Sequence, residues 1–70
     1  RTFTVYLTLN QPGEVVFEVF DISGSSHTYE TITTTASSIS KTFQSRKSSE
    51  YFIRVIAPDG SVFEGQTILP

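Results

Sequence analysis

The sequence predicts an all-β fold: a small antiparallel β-sandwich of about six to seven strands with immunoglobulin-like or Greek-key connections. Composition is the first reason. Val, Ile, Thr, Phe and Tyr make up 31 of the 70 residues, while Ala, Leu and Met together supply five. The former are the types that fit a pleated, half-buried surface, and the shortage of the latter excludes a helical bundle. The second reason is periodicity. Short runs of alternating polarity recur at roughly ten-residue spacing, with Gly, Pro, Asp and Ser between them. A chain of 70 residues makes one domain, residues 1–70, with no room for a second core.

The first run, Thr2 to Leu9, alternates without a break. Phe3, Val5, Leu7 and Leu9 take one face, with Thr2, Thr4, Tyr6 and Thr8 on the other. Asn10-Gln11-Pro12-Gly13 is a turn, because Pro fixes φ and the Gly after it accepts a positive value. Glu14 to Phe20 is a second strand, with Val15, Phe17 and Val19 inward and Val16, Glu18 and Phe20 outward. It is apolar on both sides, which suits a central strand. Asp21-Ile22-Ser23-Gly24 ends it by turn chemistry.

His27 to Thr34 reads as a weaker strand. Its apolar residues, Tyr29 and Ile32, lie three apart, so a bulge or a short edge strand is expected. After a polar loop around Ala36-Ser37-Ser38, Ser38 to Gln44 offers a strand with Ile39, Lys41 and Phe43 on one face. Gln44 to Ser49 is a polar, charged loop. Glu50 to Ala57 is the strongest strand: Tyr51, Ile53 and Val55 face one way, and Phe52, Arg54 and Ile56 the other. Pro58-Asp59-Gly60 signals a hairpin turn, and Ser61 to Leu69 returns as the closing strand. Phe63 takes one face of it and Val62 and Ile68 the other, and Gly65 implies a bulge or a close backbone approach. Glu14 to Gly24 and Glu50 to Gly60 resemble each other at a spacing of 36 residues, as two central strands followed by turns do.

Charge and residue types remove several function classes. The net charge is −2, and the only basic cluster is Lys41, Arg46 and Lys47, too thin a positive face for nucleic acid. No apolar run approaches the ~20 residues of a membrane span, so membrane insertion is not expected. The absence of cysteine removes disulfides and most structural zinc sites. No cofactor is expected. Arg1 leads straight into a strand pattern without an initiator Met, which suggests a mature or excised piece of a longer chain.

Catalytic sets are equally poor. His27, the one histidine, has Asp21, Ser23, Ser25, Ser26 and Glu30 near it, but a turn gives no oriented imidazole and no oxyanion hole. Glu14 and Glu18, four apart, are expected on opposite sides of the local twist. Asp21 and Asp59 are expected to cap backbone N–H groups in turns. The chain is not expected to be an enzyme.

Glu18 and Arg54 form the more informative pair. Each lies mid-strand on the face opposite the core, and in neighbouring strands they could pair across the sheet. Val16, Phe20, Phe52 and Ile56 share that face with them. Either loops or an edge strand cover these six residues, or they form a partner surface.

At Val16-Phe-Glu-Val-Phe-Asp-Ile-Ser-Gly24, Tyr51-Phe-Ile-Arg-Val and Asp59-Gly60 the chain resembles small secreted immunoglobulin-like β-sandwich domains of Bacteroidetes, a family of unknown function. Gly65-Gln-Thr-Ile68 is similar to that family's closing strand, with Thr67 where an aromatic is expected. The chain is similar also to type IX secretion C-terminal sorting domains. It departs from them in the stretch Phe43 to Glu50 and lacks their Tyr-Pro-Asn-Pro opening and basic final strand. The resemblance implies an extracellular or cell-surface address and no catalytic residues. The resulting expectation is a non-catalytic module for binding or structural assembly, working with a protein partner or by self-association. The alternatives are a surface-fibre subunit built by β-strand addition and a sorting domain.

Overall fold

The computed structural model describes residues 2–23, 27–45 and 49–69, without the side chains of His27 and Ser49. It contains six strands: β1 (Thr2–Thr8), β2 (Gly13–Asp21), β3 (His27–Thr34), β4 (Ser38–Gln44), β5 (Ser49–Ile56) and β6 (Val62–Leu69). They form two antiparallel sheets packed as a small sandwich. One has four strands in the order β3-β2-β5-β6, and the other has two, β1-β4. The two strands with apolar residues on both faces, β2 and β5, are the central pair. Only a central strand has neighbours on both edges and a packed layer beneath it, so its outer face can also carry apolar groups.

The inner rows make the core. Val15 and Phe17 are fully buried, and Val19, Tyr51, Val55, Ala57 and Leu69 are nearly so. From the smaller sheet, Phe43 is buried, and Phe3, Val5, Leu7 and Ile39 pack against the same cluster. Aromatic rings bridge the layers. The Phe43 ring lies 5.9 Å from Phe17 and 5.4 Å from Phe3, and Phe3 lies 6.0 Å from Tyr51. The Tyr51 hydroxyl is hydrogen-bonded to the Ser45 hydroxyl at the end of β4.

Lys41 shares the inner face of β4 with Ile39 and Phe43, as expected, and its ammonium reaches Glu30 of β3 at 2.9 Å. It also lies 5.9 Å from the centre of the Phe43 ring. This ion pair therefore spans the two sheets along the side where β3 and β4 are the edges. Arg46 and Lys47, the other members of the basic cluster, lie outside the described residues.

Of the two outcomes expected for β3, a bulge or a short edge strand, it is an edge strand, eight residues long, and has no bulge: its register with β2 runs unbroken from Gly13↔Thr34 to Phe20↔His27. Tyr29 and Ile32 are three apart because they face opposite sides, Tyr29 outward and Ile32 toward the core. Gly65 likewise sits in an unbroken register, opposite Ile53, so β6 has no bulge either. His27 opens β3, as the strand bounds read from the sequence have it, and pairs with Phe20, so the turn position also considered for it does not hold.

The turns are built from their residue types. Gly13 has φ 143°, and a Cβ there would stand 3.0 Å from the Pro58 Cβ, so the start of β2 tolerates no side chain. Between β5 and β6, the Gly60 N–H donates to the Ala57 carbonyl at 2.9 Å, closing a β-turn with Pro58 second and Gly60 last. Asp59 caps it by accepting from the Ser61 N–H at 2.9 Å and from Asn10 Nδ2 at 3.2 Å. Gln11 Nε2 donates to the Pro58 carbonyl at 3.3 Å, tying the 10–12 turn to the same hairpin end. Asp21 is buried at the end of β2 and accepts from the Ser23 hydroxyl at 2.8 Å.

Two outcomes are expected. Phe17→Ala removes a fully buried ring and costs about 3–5 kcal/mol in urea denaturation, enough to unfold much of so small a domain. The Ser61 N–H, then the Ser61 hydroxyl and Asn10, hold the Asp59 carboxyl below its ordinary value. A depressed folded-state value means that the ionised cap stabilises above the unfolded value, about 3.9, and is lost as pH falls through the lower folded value. Thermal melts should therefore show the wild type above Asp59→Asn at about pH 6, and the gap closing by about pH 2.

Candidate protein-binding face

The outer face of the larger sheet brings together all six residues singled out from the sequence. Antiparallel pairing of β2 with β5 sets Val16 opposite Ile56, Glu18 opposite Arg54 and Phe20 opposite Phe52. The three pairs follow one another at two-residue steps, so they form one continuous double row. The Phe20 and Phe52 rings stack with centroids 5.9 Å apart and an interplanar angle of 28°. Arg54 Nε meets Glu18 Oε1 at 3.3 Å, with 19% of the Glu18 side chain and 47% of the Arg54 side chain exposed.

Among the described residues no loop or strand covers this face. Phe20 remains 36% exposed at the end of the row. Val16, Phe52 and Ile56 are half-buried by their neighbours within the sheet. The register adds flanking residues that the sequence reading did not join to the patch. Tyr29 of β3 stands beside Glu18, and Glu64 of β6 stands beside Arg54. Val62 pairs with Ile56, and Gln66 with Phe52. Ile68 pairs with Glu50, whose carboxylate accepts from Gln66 Nε2 at 2.9 Å. Tyr29, Val62 and Ile68 are well exposed. Val62 and Ile68 were legible as sharing one face of their strand, but only the β5–β6 register sets them beside Ile56 and Glu50.

Glu14 and Glu18 lie on this same outer face, with Val16 between them, because residues four apart in a strand point the same way. The expected placement on opposite sides is thus corrected. The face carries the carboxylates of Glu14, Glu18, Glu50 and Glu64, with Arg54 as its cation among the described residues. It is an apolar double row in an acidic frame.

No cluster of three metal-ligating side chains occurs among the described residues, and no helix is long and apolar enough to cross a membrane. The arrangement offers shape, aromatic area and charge to a partner. Comparison of the chain with protein-family models, with curated proteins and with solved structures finds no match.

The Glu18–Arg54 pair is open to solvent on its guanidinium side, so its coupling should be small. A double-mutant cycle of the single and double charge reversals should return a favourable interaction below about 1 kcal/mol. The double reversal should recover stability that either single reversal loses, as read from urea midpoints at constant slope.

Proposed function

We propose that the chain is a non-catalytic β-sandwich module of an extracellular or cell-surface protein that engages a protein partner through the outer face of its larger sheet. The observation that carries the reading is the uncovered double row, with stacked Phe20 and Phe52 at one end and the Glu18–Arg54 pair at its centre. Aromatic side chains supply large contact area at low entropic cost, and partly exposed rings framed by charges are a common anchor of protein recognition. A contiguous apolar surface on so small a domain has an evident use only when something covers it.

An immunoglobulin-like connection is supported by the chain's path. It changes sheets between β1 and β2, between β3 and β4, and again between β4 and β5. The resemblance to small secreted Bacteroidetes domains supports the address, and the Ser- and Thr-rich composition leans the same way.

Site-specific photo-crosslinking from position 66, beside Phe52, tests the reading on intact cells or their surface extracts. A specific adduct should form, and it should disappear in a Phe20→Ser/Phe52→Ser variant that still melts cooperatively. The same adduct should survive Tyr6→Ser on the opposite sheet. An adduct that persists in the double variant, or that Tyr6→Ser removes, would refute the assignment of this face.

A further inference from the structure

The two long sides of the sandwich differ. Along the β3–β4 side, the Lys41–Glu30 ion pair spans the gap between the sheets. Along the other side, the four-stranded sheet reaches past the two-stranded one, and β6 projects beyond β1. A groove of about 360 Å³ runs there, with Phe3, Val5 and Leu7 as its wall and Phe63, Gly65 and Thr67 as its floor. Phe63 belongs to an inward-facing row yet is 46% exposed, because no strand of the smaller sheet lies above it.

The backbone edge that borders this groove is unlike the other three. Sheet edges are normally guarded against pairing by charges, irregularity or inward-pointing ionised groups. β3 carries inward Glu30, β4 carries inward Lys41, and β6 carries Glu64 and Gly65. β1 has none of these. From Thr2 to Leu9 there is no charged residue, no Pro and no Gly, and its register with β4 is regular throughout. Its second edge has no partner among the described residues.

Gly65 is the third observation. A glycine inside a strand weakens it, and usually marks a bulge or a close backbone approach. There is no bulge, its φ lies outside the left-handed region, and a Cβ placed on it meets nothing within 4 Å. Nothing in the described chain requires the missing side chain. What lies over Gly65 is the open groove, and a backbone seated there would require it.

We propose that this groove receives one extended, uncharged β-strand from another polypeptide, paired to the free edge of β1 with alternating apolar side chains over Phe63, Gly65 and Thr67. The charge match selects the occupant: Glu64 is the one ionised residue along the groove and no cation lines it, so an inward carboxylate would be buried unpaired beside a like charge. A folded second copy set β1 to β1 would bring its own four-stranded sheet toward the same space, so the occupant is taken as a single strand. The slot is independent of the outer face assigned above, which lies on the far side of the larger sheet.

The probe is a capped peptide as long as β1, 7 residues, of alternating Val and Thr, with a terminal Lys pair for solubility. Titrated into the isotope-labelled chain, it should give saturable amide shifts concentrated on residues 3–7 and 63–67. Replacing its central Val by Glu should weaken binding by about tenfold or more. Gly65→Leu should leave the melting temperature unchanged or raised while weakening binding by about tenfold or more, and Gly65→Ala should keep most of it. A structural role alone would not move stability and binding in opposite directions. Should Gly65→Leu fail to fold, Phe63→Lys, at an exposed position, gives the same binding readout. Shifts that map elsewhere, or binding indifferent to both variants, would overturn the proposal. So would self-association of the free chain that Tyr6→Lys abolishes, since the occupant would then be a second copy.

Discussion

The contact on which this structure most depends is the meeting of Phe17 with Phe43. Phe17 is the fully buried centre of β2, and Phe43 is the buried ring of β4 that reaches it from the other sheet at 5.9 Å. Phe3 stacks on Phe43 and leans toward Tyr51, so four rings from four strands hold the layers together. Each such pair contributes about 0.5–1.5 kcal/mol beyond its area. A domain of this size buries little surface, and this one has no disulfide to compensate. Among the described residues its two-stranded sheet makes strand pairs only within itself, and side chains such as these attach it to the larger sheet.

That attachment explains why the two sides differ. The smaller sheet covers β2 and β5 where the rings need covering, and Lys41 with Glu30 seals the margin beside β3. Among the described residues no strand is left to cover β6. The exposed Phe63 and the bare Gly65 follow from counting strands in each layer, four against two. The outer face of the larger sheet has a different origin. Its apolar double row exists because β2 and β5 are apolar on both sides and pair with each other, which aligns Val16, Glu18 and Phe20 with Ile56, Arg54 and Phe52.

Most of this face was legible before any fold was known. Alternation assigned each of the six residues to the outer side of its strand, because a side-chain period of two admits no other answer once the inner row is recognised. The pairing of Glu18 with Arg54 was conditional on adjacency, and adjacency is what β2-β5 pairing supplies. Tyr29, Gln66 and the acidic frame were not legible as parts of the face. They sit on other strands, and whether two strands are neighbours depends on interactions far apart in sequence. Two local patterns left alternatives open. The spacing of Tyr29 and Ile32 is compatible with a bulge or an edge strand, and the structure has the edge strand; Gly65 is compatible with a bulge or a close backbone approach, and its register has no bulge.

By itself, the sequence determined that the chain is all-β, where the strands and turns lie, and which side of each central strand is apolar. These follow from residue shape, from proline and glycine dihedral limits, and from the two-residue period, all of which act within a few residues. Tertiary structure alone decided that the strands divide four and two, that β2 pairs with β5, and that β1 keeps a free edge above a glycine. Those outcomes depend on which layers bury Phe17 most completely. That is a competition among contacts between distant segments, and no local pattern encodes its winner.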